Sequence, residues 1–325
     1  MHSDDAATAA ALDGAVTLGH WGLMRAQGPD AATFLHAQLT NAFTGFGEHD
    51  LRLAGLCSAK GRLQASFLAW RSGPDEFLLA CHASLLAPTV KRLRMFVLRA
   101  KCSLGEVDDR VCTGLVGPAA ARSLEAAGSM PRPGWQRVGH ADGDLLRLPP
   151  VDGVERAVWV AAPGVPPPGP ADATPSLPLD AWRWLEVRSG VPVVQAATVD
   201  QFVPQMLNYE LVGGVDFRKG CYPGQEVVAR SQYRGTVKRR MLAFHSPVAC
   251  AAGQEVVHDA DPGQPAGMVV DAAPRPGGAG HDALVEVKLA AASGGALHLG
   301  QADGPPLQPL ALPYPLPTPG PGDDA

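Results

Sequence analysis

The densest chemistry in this chain lies between Arg218 and Arg230. Arg218-Lys219-Gly220-Cys221-Tyr222-Pro223-Gly224-Gln225-Glu226 packs a thiol, a turn, an amide, a carboxylate and two cations together, and Val227-Val228-Ala229-Arg230 follows. Tyr222-Pro223-Gly224 suits a type II turn, with proline pre-setting φ at the first central position and glycine supplying positive φ at the second. Gly220 would let the backbone approach whatever lies beside the thiol. Cations near a thiol favour the thiolate, so Cys221 reads either as an activated sulfur or as a structural cysteine beside a surface turn. A second group centres on Trp182-Arg183-Trp184-Leu185-Glu186-Val187-Arg188. A carboxylate among tryptophans is expensive unless paired, and Arg183 or Arg188 on the same helix could pair it.

The elements that must hold these groups follow from periodicity. Residues 15–26 read as one or two strands, and Pro29-Asp30 opens a helix with Ala31, Phe34, Leu35 and Leu39 at helical spacing. Strands are expected over 51–57 and 62–70, joined by the turn Ser58-Ala59-Lys60-Gly61, and over 76–81. Ser84 then caps a helix with Leu85, Leu86, Val90, Leu93, Phe96 and Val97 on its apolar side and Lys91, Arg92 and Arg94 on a solvated one. Strands follow at 99–104, 111–116, 144–148 and 156–160, with a helix at 118–127 and a proline-rich loop to Pro170. Pro178-Leu179-Asp180 starts the Glu186 helix, and Ser189-Gly190 with Pro192 stops it. Beyond Gly235, short strands punctuated by glycine and proline predict a small β-barrel or sandwich. The expected division is a flexible arm over 1–13, two intertwined α+β subdomains over 14–235, the barrel over 236–313 and a flexible tail over 314–325.

Composition narrows the function classes. The chain has 325 residues and a net charge of -5, so no global field advertises nucleic acid. The six cysteines show no C-x-x-C spacing, which argues against a zinc ribbon, an iron–sulfur ligand run or a secreted disulfide framework. The ten histidines form no metal-like pair on a helix face, so no metal site is expected. No apolar run reaches membrane-spanning length, and the N-terminus lacks a basic apolar signal; a cytoplasmic protein without membrane partners is the expectation. Walker, dinucleotide-binding and Gly-x-Ser-x-Gly patterns are absent. The stretch from Arg218 to Arg240 holds Arg218, Lys219, Arg230, Arg234, Lys238, Arg239 and Arg240 against the single acid Glu226. It suits a polyanionic ligand tail or a weak RNA contact, with only Tyr222 and Tyr233 available for stacking.

Lys219-Gly220-Cys221-Tyr222-Pro223-Gly224-Gln225-Glu226 resembles the signature of the YgfZ-type folate-binding proteins. These are relatives of the glycine-cleavage aminomethyltransferase, with mitochondrial cousins that serve iron–sulfur cluster maturation. Gln38-Leu39-Thr40-Asn41, Phe202-Val203-Pro204-Gln205 and the segment from Arg183 to Pro192 are similar to further family motifs, so the resemblance covers nearly the whole chain. It implies aminomethyltransferase-like folate-binding domains and a C-terminal barrel around a central channel. It implies tetrahydrofolate or a substituted derivative as cofactor, and iron–sulfur client enzymes or assembly factors, including tRNA-modifying enzymes, as partners. Glu186 would then hold the pterin, because a carboxylate accepts the side-by-side amino and ring N–H of a pterin edge. Tyr209, Gln225, Glu226 and Arg230 would complete the folate site, and Cys221 with Lys219 would carry the chemistry. The aminomethyltransferases place an aspartate on the strand corresponding to 62–67, whereas this chain has no carboxylate between Asp50 and Asp75. Ser66 stands about where that acid would fall, and a serine cannot do a carboxylate's electrostatic work at neutral pH. A folate-dependent one-carbon transferase and a tRNA-binding factor are the alternative readings.

Overall fold

The computed structural model describes residues 3–128, 134–170, 174–233 and 237–317. Arg234 and Gly235, and the end of the expected tail from 318 onwards, lie outside the described residues.

The chain runs through α1 (Ser3–Ala10), β1 (Gly14–Thr17), β2 (Trp21–Gln27), α2 (Ala31–Gln38), β3 (Leu51–Cys57), β4 (Leu63–Gly73), β5 (Glu76–His82), α3 (Ala83–Arg94) and β6 (Ser103–Glu106). Then come β7 (Val111–Val116), α4 (Pro118–Ala126), β8 (Gln136–His140), β9 (Gly143–Val151), β10 (Val154–Ala161), α5 (Leu179–Arg188) and α6 (Gln225–Tyr233). The C-terminal part holds β11 (Arg239–Ser246), β12 (Glu255–His258), β13 (Asp261–Pro274), β14 (His281–Lys288), α7 (Leu289–Ala292), β15 (Leu297–Leu299) and β16 (Gln308–Leu310). In the N-terminal segment Ser3–Ala10 is helical and Ala9 is fully buried.

Three antiparallel sheets result, in a mixed α+β arrangement. One has the order β3-β4-β5-β2-β6, and a second β1-β7-β10-β9-β8. The chain begins in the second sheet at β1, builds the first, and returns at β7, which pairs with β1 from Gly14↔Val116 to Thr17↔Thr113. The two sheets are tied by a buried polar knot: Trp70 Nε1 donates to Asp144 Oδ2 at 3.0 Å, and Arg137 donates through two nitrogens to Asp144 Oδ1. Buried carboxylates persist only with such satisfied partners.

The third sheet has the order β15-β12-β13-β14-β11-β16. It is a curled sheet, a partial barrel, and not the closed barrel expected. Among the described residues no ladder joins β15 to β16; the chain between them draws the ends together through single contacts such as Leu307 N–H to Leu297 O at 2.8 Å. A bulge in β13 between Val269 and Asp271 supplies part of the curl. Helix α5 packs its tryptophan face between all three sheets: Trp182, Trp184 and Leu185 are fully buried, and Trp184 Nε1 donates to Asp282 Oδ2 at 2.7 Å across to β14.

Some strand expectations shift. The strand placed at 99–104 stands at Ser103–Glu106, β8 has no expected counterpart, and neither has β15, whose three residues carry too little periodicity. Helix α6 was also unread, since the turn residues before it masked its start.

Candidate functional site

The site is a pocket of about 70 Å³ between the first two sheets, with α5 as one wall. One water needs only about 10–15 Å³ measured in this way, so there is room for a ring edge. Trp21 comes from the start of β2, Ser66 and Phe67 from β4, Cys81 and His82 from the end of β5, Arg156 from β10, Glu186 from α5, and Tyr209 and Trp135 from loops. The walls are mainly apolar and aromatic, with few polar groups, which is the usual make-up of a small-molecule site at a domain interface.

Glu186 is the acid at its centre, and it is held at both oxygens. Trp21 Nε1 donates to Oε1 at 2.8 Å, and His20 Nε2 donates to Oε2 at 2.8 Å. Neither helix-surface partner takes it: Arg183 turns to Ala272 O at 3.1 Å, and Arg188 to Asp152 at 3.1 Å. Each carboxylate oxygen can accept a second hydrogen bond, so the clamp sets the carboxylate's plane and leaves acceptor capacity. Arg156 lies beside it, almost fully buried. Its two terminal nitrogens donate to Leu185 O and Pro149 O at 3.2 Å, while its Nε finds no partner. Burial pulls this guanidinium down to about 10, with Glu186 opposing, so it stays charged at neutral pH. His20 Nδ1 is also buried without a partner. Burial lowers the His82 pKa, with His20 and Arg183 adding to it and Glu186 opposing.

Tyr209 is a wall and not a polar contact: it is fully buried, and its hydroxyl donates to Ala54 O at 2.9 Å. It belongs to a three-residue hub. Asn208, in the left-handed conformation at φ 56°, donates to Met241 O of the C-terminal sheet, and Glu210 pairs with buried Arg240. Ser66 accepts the Val194 N–H at 2.9 Å and so pins the loop that floors the pocket.

The signature loop stands elsewhere. Gln225 N–H bonds Tyr222 O at 3.2 Å and Gly224 has φ +79°, the geometry of a type II turn. A Cβ on Gly224 would meet Ser58 O at 2.3 Å, so the turn is seated on the Ser58–Gly61 hairpin of β3 and β4. That hairpin lies about five residues beyond the pocket-lining Leu53, or roughly 17 Å of strand. Cys221 is exposed, and none of residues 219–226 lines the pocket. Lys219 folds inward: its Nζ donates to Leu39 O at 3.0 Å and Gly220 O at 3.1 Å and sits 4.6 Å from the Tyr222 ring centre. Burial pulls it down to about 8, against the pull of Asp216 and Cys221. Gly220 faces nothing closer than His36 Nε2, which a Cβ would meet at an ordinary 3.6 Å, so no close approach requires glycine there.

Gln225, Glu226 and Arg230 lie on α6, where Arg230 pairs with Glu226 at 3.0 Å on the solvent face. The basic stretch is partly used internally, since Arg239 pairs with Glu286 and Arg240 with Glu210. The structure therefore brings Glu186 and Tyr209 together and leaves Cys221, Gln225, Glu226 and Arg230 on a separate surface, with Lys219 buried beneath it. The residues the sequence reading missed are His20, Trp21, His82 and Arg156. His20-Trp21 at a strand start was the one available signal, two N–H donors side by side in an apolar context.

No group of three or more histidine, cysteine or acidic side chains suited to a metal occurs among the described residues. Among them, too, no helix is long and apolar enough to cross a membrane.

The fold is that of an aminomethyltransferase-like protein. The glycine cleavage system aminomethyltransferase T from Bartonella henselae matches with a TM-score of 0.71 over 95% of this chain and 88% of that one, at 18% identity. No family model matches the chain. The tRNA-modifying protein YgfZ of Cronobacter sakazakii is 28% identical over 257 residues, covering 74% of each chain. Those of Edwardsiella ictaluri and Escherichia coli (strain K12 / DH10B) are 30% identical, over 69% and 70% of each chain. The chain belongs to the YgfZ family.

Proposed function

We propose that this protein binds tetrahydrofolate, or a substituted derivative, in the Glu186 pocket and supports iron–sulfur cluster assembly or repair in cytoplasmic client enzymes, among them enzymes that modify tRNA. The observation that carries the ligand half is the Glu186 carboxylate, fixed at both oxygens by Trp21 and His20 inside an aromatic pocket. A carboxylate so held offers its remaining lone pairs to a flat ring bearing adjacent N–H donors, and the walls of Trp21, Phe67, Trp135 and Tyr209 suit such a ring. The pocket would be the inner end of the channel expected between the domains. Tetrahydrofolate supplies one-carbon chemistry when bound.

In this reading Cys221 and Lys219 act at a second surface, where the exposed thiol meets a client protein and Gln225, Glu226 and Arg230 frame it. The names of the relatives support the tRNA connection, which comes to this chain as part of the proposal. Aminomethyl transfer is disfavoured because the pocket's one carboxylate is Glu186 and Ser66 is engaged by Val194. Titration of tetrahydrofolate followed by tryptophan fluorescence tests the ligand, since Trp21 and Trp135 line the pocket: saturable quenching is expected, and a flat trace contradicts it. In cells lacking the protein, Cys221→Ala should fold and bind folate yet fail to restore iron–sulfur enzyme activity. Full rescue would reduce the thiol to a bystander.

A further inference from the structure

The end of α3 carries a feature that the folate reading does not use. The sequence pattern put Phe96 and Val97 on the buried side of this helix, but the helix stops at Arg94 and the chain turns out at Met95. Val97 stays packed on the core, while Met95, Phe96 and Leu98 are 60%, 44% and 86% exposed. The turn is ordered by its own backbone, with Met95 N–H on Arg92 O at 3.1 Å, Phe96 N–H on Leu93 O at 3.0 Å and Leu98 N–H on Phe96 O at 3.0 Å. Three of the six large apolar side chains exposed among the described residues are therefore held at one tip. Single exposed apolar residues need no explanation, but a cluster does.

The surrounding charge is one-sided. Lys91, Arg92, Arg94, Arg99 and Lys101 flank the tip, and no acid occurs from Phe77 to Gly105 in a protein whose net charge is -5. Arg94 Nε donates to Leu104 O at 2.8 Å and Arg92 lies 6.0 Å from the Phe96 ring centre, which leaves their positive charge at the surface. None of the five forms an ion pair among the described residues; Asp30, which accepts the Lys101 backbone N–H at 2.7 Å, and Glu106 on β6 are the acids at the base of the tip.

We propose that this tip is a peripheral docking surface for an anionic lipid bilayer. The cations would meet headgroup charge and Met95, Phe96 and Leu98 would enter the interface, the pairing of apolar and basic side chains that interfacial anchors use. Side chains at neighbouring positions of a convex turn point several ways, which suits a soft, continuous surface better than a cleft in a protein that reads one stripe. Nucleic acid fits less well, because two of the three apolar groups are aliphatic and cannot stack on bases. Helix α3 begins at the pocket-lining His82 and spans roughly 18 Å, so docking at the tip leaves the pocket mouth clear.

The test is co-sedimentation of the full chain with vesicles of phosphatidylcholine alone and of equimolar phosphatidylcholine and phosphatidylglycerol. Binding is expected to the anionic vesicles only, and to weaken as salt rises. Leu98→Glu should lower it at least tenfold, and Arg99→Gln and Lys101→Gln about fivefold each, with folate titration unchanged because none of the three positions lines the pocket. All three positions are exposed, so the variants should fold, which circular dichroism checks. Absence of binding to anionic vesicles at low salt would overturn the proposal, as would binding that these substitutions leave unchanged. Capture of an acidic polypeptide such as polyglutamate in place of the vesicles would also overturn it and reassign the tip to a protein partner.

Discussion

The Glu186 pocket and the Cys221 loop are built on opposite physical terms. In the pocket a partly buried carboxylate, Glu186, is fixed because Trp21 and His20 hold both of its oxygens. In the loop the Cys221 thiol is exposed, and what is fixed is the backbone: a type II turn whose Gly224 is pressed against Ser58 and Gly61. A buried site is set by side-chain partners contributed from distant elements, whereas an exposed one is set by local turn chemistry. The pocket is joined to the C-terminal sheet through Asn208-Tyr209-Glu210, which reaches the pocket wall, β3 and β11 together.

Breaking that joint should have the largest effect. Arg240→Ala would leave Glu210 buried and unpaired, and should lower stability by about 3–5 kcal/mol in denaturant unfolding; a loss below about 1 kcal/mol would show that the hub carries little. Asp271, buried in the β13 bulge, comes next. Burial, with Glu186 nearby, pushes its carboxyl up to about 6. A raised carboxyl pKa means the folded state holds the proton more tightly, so stability is fullest below the ordinary carboxyl range near 4 and falls as pH rises to about 6. Asp271→Asn should therefore stabilise the protein by up to about 3 kcal/mol at pH 7 and by little at pH 4; equal effects at both would contradict this.

Gly224→Ala sharpens the other side of the contrast. The new Cβ has no room at φ +79°, and the penalty of about 1–3 kcal/mol should fall on the loop, seen as a changed rate of Cys221 alkylation with the pocket intact. The smallest effect is expected at the thiol itself. Cys221→Ala should change stability by less than about 0.5 kcal/mol, and its alkylation followed by mass spectrometry should outpace that of buried Cys57, Cys81 and Cys112, which burial pushes up to about 12. Comparable rates at all four would remove the distinction between exposed and buried thiols.

Much of the loop was legible in the sequence because Tyr222-Pro223-Gly224 encodes its own geometry in consecutive residues. The Glu186 helix was legible for the same local reason, with Pro178 ahead of it and Gly190 at φ +66° behind it. The partners of Glu186 were not, since His20 and Trp21 lie 166 and 165 residues away and only the packing of β2 on α5 brings them together. The distance of Cys221 from the Glu186 pocket was illegible for a related reason. Nearness within a motif says nothing about distance from a pocket on the far part of the same strands. The barrel was read from strand rhythm, which counts strands but does not say whether the last one closes on the first.

Calorimetric titration of tetrahydrofolate into the unaltered protein, Glu186→Gln and Cys221→Ala tests the separation of the two sites most directly. Glu186→Gln removes a charge-assisted contact and should weaken binding about 10–100-fold, while Cys221→Ala should bind as the unaltered protein does. Unchanged affinity in Glu186→Gln, or an equal loss in Cys221→Ala, would contradict a ligand held by the buried carboxylate and a thiol that works apart from it.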